Sequence, residues 1–166
     1  MKSVFQLIAS VACAFALTAC GSAANEKKDP VIDPATQVKD NKLVYEDLVL
    51  GTGTAIVAGD KFTVRYTGWL YNSAATDGKG KQFEASPADA ALSLVLGVGQ
   101  VIPGWDQGIV GMKAGGTRRL TIPASLAYGS TIKYDAKGAV LIPAYSGLVF
   151  EVTVVSGGLA RITITA

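Results

Sequence analysis

The chain has 166 residues, of which 49% are hydrophobic and 17% charged, a composition that suits one domain of ordinary size with a substantial core. Its formal net charge is +2 and it has no run of lysine or arginine, so the charge pattern does not favour a nucleic-acid partner. Histidine is absent, which excludes imidazole-dependent serine triads and histidine-ligated zinc sites.

The first nineteen residues are typical of a secretory signal peptide. Lys2 precedes an apolar stretch from Val4 to Leu17 that is too short to span a bilayer. The segment Leu17-Thr18-Ala19-Cys20 resembles the lipobox of bacterial lipoproteins, in which cleavage leaves the cysteine as a lipid-modified first residue. We therefore predict that residues 1–19 are removed and that lipidated Cys20 anchors the chain in a membrane. An ordinary signal peptide with an incidental cysteine is the alternative.

The cysteines also bear on localisation and chemistry. A lipid-anchored chain of this kind lies in the cell envelope, outside the cytoplasm. Gly21 lacks the aspartate associated with inner-membrane retention, so we expect the outer membrane, facing the periplasm. Cys13 and Cys20 both precede the folded part of the chain, so the domain is expected to have neither a disulfide nor a thiol nucleophile.

The segment after the cysteine is polar and shows no sustained period. Pro30 and Pro34 interrupt it, and we predict that residues 20–41 are the lipidated cysteine and a flexible tether. From residue 42 the pattern changes, and residues 42–166 are predicted to form one domain. Many glycines and short alternating runs in this part favour a β-rich fold.

Four runs in the domain alternate apolar and polar side chains, as strands buried on one face do. They cover residues 61–67, 91–96, 117–122 and 148–155. One short helix is predicted from Pro103, which suits a first helical position, to near Gly111, which suits a C-terminal cap. Ser156-Gly157-Gly158 and residues 161–165 predict a turn and a further strand, which would form a C-terminal hairpin extending the sheet.

Six short motifs follow one another in the domain. They are Val64-Arg65-Tyr66-Thr67-Gly68, Gln82-Phe83-Glu84, Val101-Ile102-Pro103-Gly104-Trp105, Leu126-Ala127-Tyr128-Gly129, Leu141-Ile142-Pro143 and Leu148-Val149-Phe150-Glu151. In this order the chain resembles the FKBP-type peptidyl-prolyl isomerases, from about Leu43 to Val155. The resemblance implies an α+β fold, in which a strongly bent antiparallel β-sheet, or half-barrel, wraps around one short α-helix.

Taken alone, a tryptophan on an amphipathic segment favours a place in the core. The resemblance implies that Trp105 also forms the floor of a shallow pocket for the substrate proline ring. It implies catalytic roles for Tyr66, Phe83, Glu84, Trp105, Tyr128 and Phe150, and substrate-binding roles for Leu92, Val101, Ile102 and Ile142. The Ile102 backbone N–H and the Tyr128 hydroxyl are expected to hold substrate carbonyls.

The implied chemistry needs no general acid or base, and no cofactor or metal is expected. Rotation about an X–Pro amide meets a barrier of ~18–20 kcal/mol because the planar amide loses its resonance. A dry aromatic pocket favours the twisted amide, which has less charge separation and depends less on water than the planar form. We therefore expect peptidyl-prolyl cis-trans isomerisation during the folding of exported proteins.

The expected partners are proline-containing polypeptides, macrolide inhibitors and, through Cys20, a membrane. No dimerisation signal is present, so a monomer is the default. The alternative function is a non-catalytic chaperone or binding module that holds proline-containing segments of envelope proteins in the same pocket. A third option is that isomerase and chaperone functions coexist.

Two residues and two loops depart from the family pattern. Glu84 stands where the best-known members have aspartate, and Leu92 where they have phenylalanine; activity is expected to survive both changes, with altered specificity or weaker macrolide binding. Residues 71–81 and 130–140 look longer than in minimal members and are expected to flank the pocket mouth, where loops select partners. Tolerated surface insertion is an equal alternative for each loop.

Overall fold

The computed structural model describes residues 34–157. The predicted signal peptide, Cys20, the first part of the predicted tether and the predicted strand at residues 161–165 lie outside the described residues.

Eight strands and one α-helix make up the described part of the chain. In chain order they are β1 (Val44–Val49), β2 (Lys61–Tyr71), β3 (Lys79–Ala85), β4 (Leu92–Val95), α1 (Pro103–Gly108), β5 (Thr117–Ile122), β6 (Lys133–Tyr134), β7 (Val140–Ile142) and β8 (Leu148–Gly157). Short 3-10 helices lie in the connections, at Pro34–Thr36, Lys39–Asn41 and Ala124–Leu126.

Six of the strands form one antiparallel sheet. Its order is β1-β5-β8-β2-β3, and β4 pairs with the first half of β2. The central pair is β2 with β8, in which Phe62 lies opposite Gly157 and Leu70 opposite Leu148. β6 and β7 form a separate hairpin. The expected fold class, an antiparallel sheet wrapped around one short helix, is confirmed.

The core lies between the sheet and α1, and it is formed by every second side chain of the inner strands. Alternate residues of the three inner strands are buried: Phe62 and Val64 in β2, Leu120 and Ile122 in β5, and Phe150, Val152 and Val154 in β8. The threonines between them, such as Thr121 and Thr153, are only partly buried. Each of these strands therefore turns one apolar face towards the helix, as the sequence predicted.

Helix α1 lies directly on β5 because glycine occupies the two helical positions that face this strand. A Cβ atom on Gly104 would lie 2.4 Å from Cγ2 of Ile122, and one on Gly108 would lie 2.7 Å from Cδ2 of Leu120. These distances are too short for any side chain. Residues four apart share one helix face, so the two glycines together allow the helix to approach the sheet along its length.

The helix begins at Pro103, as predicted, but ends at Gly108 rather than near Gly111. The buried guanidinium of Arg118 explains how it can end there. Nη1 of Arg118 donates to the carbonyls of Gly108 at 2.8 Å and Val110 at 3.1 Å, which a longer helix would have paired internally. Nε and Nη2 of the same side chain donate to the two carboxylate oxygens of Asp47 on β1.

The other strand boundaries differ from prediction in ways that the pairing explains. β2 continues from Thr67 to Tyr71 because it pairs there with β3 and β8, although Gly68 interrupts the alternation. β8 likewise continues to Gly157, through two residues of the predicted turn. β1 and β3 were not predicted. All six residues of β1 are exposed, so its sequence shows no buried face.

The two predicted loops are partly strand. Only residues 72–78 of the segment 71–81 connect β2 to β3, and the segment 130–140 contains β6 and the first residue of β7. Residues 34–41, at the end of the predicted tether, carry hydrogen bonds to the domain. None of the helices within residues 34–157 has the length and apolar character needed to cross a membrane.

We expect Gly104→Ala to lower the free energy of unfolding by about 1–3 kcal/mol, because the added methyl group must displace Ile122 from a packed core. Chemical denaturation of the folded chain measures this change. The matched control is Gln107→Ala in the same helix, which replaces an exposed residue and should be close to neutral.

The variant Ile122→Ala, made alone and together with Gly104→Ala, separates a clash from a change of helix propensity, because it removes all three atoms of Ile122 that the added methyl group would meet. If the clash is the cause, Gly104→Ala lowers stability less in the Ile122→Ala background than in the parent. Equal stabilities for Gly104→Ala and Gln107→Ala would contradict the close approach of helix and strand.

Candidate active site

Four aromatic rings, carried by α1, β2, β3 and β8, meet beside the helix. The ring centroid of Trp105 lies 5.1 Å from that of Tyr66 and 5.2 Å from that of Phe150, with interplanar angles of 83° and 88°. Phe83 stands edge-on to Phe150, at 5.6 Å and 89°. Near-perpendicular packing places the positive edge of one ring against the negative face of the next, which holds the cluster in one geometry.

A shallow pocket of about 340 Å³ opens over these rings. Its walls are Tyr66, Glu84, Leu92, Val101, Ile102, Trp105 and Phe150. Seven of the ten residues predicted for the site therefore line one cavity. They come from four strands and from the helix with the turn before it, so the folding of the sheet around α1 assembles the pocket.

The other three predicted residues do not line the pocket. Phe83 reaches it through its contact with Phe150. Ile142 is only 3% exposed and belongs to the core. Tyr128 is partly buried and packs against the same core, and Nζ of Lys133 lies 4.6 Å from its ring centroid.

Two N–H groups at the pocket have no acceptor among residues 34–157. Ile102 immediately precedes the first helical residue, and its backbone N–H donates to no described group. Nε1 of the Trp105 indole is buried and likewise has no partner there. The Trp105 ring is therefore held by ring packing and burial, and the Ile102 N–H is available to a ligand carbonyl.

Glu84 and Tyr66 form the polar edge of the pocket. The pKa of the Tyr66 hydroxyl is raised to about 12, mainly by burial and further by a hydrogen bond to Glu84 and the charge of that carboxylate. The pKa of Tyr128 is also raised, first by burial and then by the charge of Glu84. Both hydroxyls therefore stay protonated at neutral pH and can donate hydrogen bonds.

Leu92 gives the pocket an open side. This residue stands at the start of β4 and is 40% exposed, whereas Trp105 is 3% exposed. A leucine at this position covers less of the cavity than the aromatic ring expected from the family pattern. The pocket therefore has a buried floor at Trp105 and one side, at Leu92, that is open to solvent.

The sequence analysis missed two residues that hold the pocket side chains. Ser86 bonds the backbone of Tyr66 in the gap between β3 and β4: its Oγ accepts from the Tyr66 N–H at 3.0 Å, and its N–H donates to the Tyr66 carbonyl at 2.9 Å. Lys133 covers the ring of Tyr128. The Ser86-Pro87 pair was a turn signal in the sequence, but nothing local connected Lys133 with Tyr128.

Larger hollows exist elsewhere in the described part of the chain, and two of them have charged side chains among their walls. One of about 450 Å³ lies behind β1, with Asp47, Lys113 and Arg118 among its walls, and one of about 860 Å³ lies beside the β2–β3 connection, with Lys39, Asp77 and Arg119. Both are lined by charged side chains and loop backbone. The pocket over Trp105 combines apolar walls with a few polar groups, which is the usual character of a small-ligand site.

Comparison with known proteins shows which sequences and structures the chain resembles. Residues 53–155 match the sequence model of a family described as FKBP-type peptidyl-prolyl cis-trans isomerase. An FK506-binding protein of Neisseria meningitidis serogroup B is 46% identical over 111 residues, which cover 66% of this chain and 91% of that protein. FK506-binding protein 4 of Gibberella zeae is 46% identical over 120 residues, covering 72% of this chain but only 22% of the fungal protein.

AtFKBP13 and FkpA from Escherichia coli are among the solved structures that share the fold. AtFKBP13 superposes with a TM-score of 0.58 at 34% identity, over 74% of this chain and 96% of that one. FkpA from Escherichia coli superposes with a TM-score of 0.55, also at 34% identity, over 76% of this chain and 53% of that one. The match to FkpA therefore concerns about half of the bacterial protein.

We expect Tyr66 to be protonated up to a higher pH than an ordinary tyrosine, because its pKa is raised from 10.0 to about 12. A folded-state pKa above the unfolded value means that the contribution of Tyr66 to stability is complete below pH 10. That contribution is lost as the pH rises from 10 towards 12. Titration of tyrosinate absorbance measures the shift, and the Tyr66→Phe variant identifies the transition that belongs to Tyr66.

The variant Glu84→Gln tests the cause of the shift. It removes the negative charge beside the hydroxyl, so the pKa of Tyr66 should fall, while burial keeps it above the ordinary value. Glu46→Gln, on the exposed strand β1, is the control and should leave the titration unchanged. An unchanged titration in Glu84→Gln would show that the two side chains do not interact.

Proposed function

The chain belongs to the family of FKBP-type peptidyl-prolyl cis-trans isomerases, and from this premise we propose that the pocket over Trp105 accelerates rotation about X–Pro bonds in polypeptides. The observation that carries the proposal is the box formed by Tyr66, Trp105 and Phe150, with an Ile102 N–H at its edge that has no acceptor among the described residues. The rings supply an apolar surface for a proline ring. The N–H supplies one fixed donor for a substrate carbonyl.

The energetic demand on the pocket is modest. An uncatalysed X–Pro bond rotates in tens of seconds or more. Shortening this by about three to four decades requires roughly 4–5.5 kcal/mol of selective stabilisation, at ~1.36 kcal/mol per decade. Excluding water from the amide while holding its flanking carbonyls favours the twisted state over the planar one, because the twisted amide depends less on solvation.

Within this proposal each polar group orients the substrate, and none transfers a proton. The Ile102 N–H and the Tyr128 hydroxyl bind substrate carbonyls. Glu84 holds the hydroxyl of Tyr66, so it keeps one wall of the pocket in place. The raised pKa values of Tyr66 and Tyr128 fit this assignment, since a hydrogen-bond donor must keep its proton across the working pH range.

The proposed ligands are proline-containing peptides and macrolides of the FK506 type. The relatives from Neisseria meningitidis are named FK506-binding proteins, and this chain covers nearly all of their length. The open side at Leu92 leaves room for a ligand larger than a proline ring, but it gives that ligand less contact than an aromatic side chain would. One chain supplies all the walls of the pocket, which supports action as a monomer.

We further propose that the protein works in the cell envelope, on exported proteins, attached through lipidated Cys20. The support is in the sequence: the apolar segment, the lipobox-like Leu17-Thr18-Ala19-Cys20 and the polar stretch that follows. Removal of residues 1–19 would leave Cys20 as the first residue. Stable anchoring would need more than one acyl chain, because a single chain binds a membrane only marginally.

The proposed activity predicts that the purified full-length chain accelerates cis-to-trans isomerisation of a short Leu-Pro peptide. Tyr66→Ala and Phe83→Ala should lower kcat/KM about tenfold or more, because the first removes a ring of the aromatic box and the second removes the ring that packs edge-on against Phe150. Val110→Ala, an exposed residue just after the helix, is the matched control. Circular dichroism and the unfolding midpoint establish that each variant is folded.

The result can contradict the proposal in two ways. Unchanged turnover in folded Tyr66→Ala and Phe83→Ala would reject the pocket as the catalytic site. A folded parent that binds the peptide without accelerating its isomerisation would instead support the non-catalytic binding module.

The proposed anchor predicts that cells producing the chain incorporate labelled fatty acid into it and that it partitions with membranes. Cys20→Ser should abolish both, because it removes the sulfur that carries the lipid. Cys13→Ser is the matched control, since the same exchange within the predicted signal peptide should leave labelling intact. Labelling of Cys20→Ser would show that Cys20 is not the attachment site.

A further inference from the structure

Residues 34–41, which we call the N-terminal strap, precede the residues matched by the family model. They are bound to the domain on one side through the connection between β7 and β8. The N–H of Gly147 in this connection donates to the carbonyl of Thr36 at 2.8 Å. A Cβ atom on Gly147 would lie 2.5 Å from Cγ2 of Val38, so strap and connection are in direct contact.

This first attachment leads to the pocket rim through Tyr145. Nε2 of Gln37 donates to the Tyr145 carbonyl, and the Tyr145 N–H donates to the carbonyl of Gly129 at 2.7 Å. Tyr145 has a φ of 59°, a left-handed conformation that a bulky residue keeps only where its surroundings impose it. Gly129 follows Tyr128 directly. The backbone of Tyr145 therefore links the strap to Gly129, the neighbour of the rim tyrosine.

A second attachment reaches Tyr128 from the other side. Oγ of Ser125 donates to Oδ1 of Asn41, the last residue of the strap, at 3.0 Å. Ser125 is the middle residue of the 3-10 helix Ala124–Leu126. The Ala124 carbonyl in this helix accepts from the N–H of Gly129 at 2.9 Å, which closes the turn carrying Tyr128. The strap thus holds the chain on both sides of Tyr128.

We infer that the N-terminal strap is a positioning element that holds Tyr128 at the pocket rim through Gln37 and Asn41. The inference rests on the proposed function, in which the Tyr128 hydroxyl binds a substrate carbonyl. The seven residues that line the pocket take no part in the strap's hydrogen bonds described above. Loss of these bonds therefore disturbs how the substrate is held and leaves the aromatic floor intact.

The test compares steady-state kinetics of the full-length parent with those of Gln37→Ala and Asn41→Gly, using the Leu-Pro peptide. Glycine is chosen at position 41 because Asn41 has a φ of 49°, which glycine adopts without strain. Each variant should raise KM about three- to tenfold, the range expected for one positioning hydrogen bond, with kcat close to the parent's. Lys39→Ala, an exposed residue of the same strap, is the control.

Two further variants show whether the hydrogen bond to Ser125 is responsible. Asn41→Asp keeps an Oδ1 acceptor and tolerates the same backbone conformation, so it should restore the parent's KM. Ser125→Ala should raise KM as Asn41→Gly does, and the double variant should be no worse than either single variant, because both remove one bond. Fully additive effects would overturn the assignment of that bond.

A second measurement does not depend on activity. The NMR signal of the Tyr128 ring should shift in Gln37→Ala and Asn41→Gly, while the Trp105 indole N–H signal stays in place. If the parent proves inactive, the proposed function fails but this measurement still decides the role of the strap. Unchanged Tyr128 signals, or a parent-like KM in both variants of an active enzyme, would show that the strap is only a surface attachment.

Discussion

The close contact between helix α1 and strand β5 is the constraint on which the pocket depends. Gly104 and Gly108 leave no side chain between the helix and the sheet, so Trp105, which follows Gly104 on this short helix, is held buried at a fixed depth. Arg118 completes the arrangement by binding the carbonyls at the helix end and pairing with Asp47. A helix of two turns is marginal alone, and here its packing and its end contacts stabilise it.

The pocket is built by two separate structural systems. Its floor consists of rings on α1, β2 and β8, which pack against one another and against the core, and the indole N–H of Trp105 has no partner among the described residues. Its rim consists of loop residues, above all Tyr128, whose positions depend on a chain of hydrogen bonds through Gly129 and Tyr145. Under the proposed function, apolar contact with a substrate therefore depends on the core, whereas the carbonyl bound by Tyr128 depends on the loops.

The sequence predicts those parts of the fold and the site that depend on neighbouring residues, and it misses those that depend on distant contacts. β5 was predicted residue for residue because its alternation is unbroken from Thr117 to Ile122. β1 was missed because it pairs only with β5 and buries no face. The sequence did not predict that the strap is hydrogen-bonded to the domain, because the bonded residues are distant in sequence. Gln37 and Tyr145, for example, are 108 positions apart. The motifs identified the candidate site residues, but only the fold shows that Phe83, Tyr128 and Ile142 do not line the cavity.

The position of β8 in the sheet has a consequence for how the protein folds. This strand lies between β5 and β2, so without it the sheet separates into two pieces that share no strand pairing. Its partners precede it by many residues, and closing such long loops costs entropy before any contact repays it. Folding is therefore expected to be slow and cooperative. No N-terminal fragment ending before residue 148 would contain a pocket, since Phe150 and the junction of the sheet are supplied together by β8.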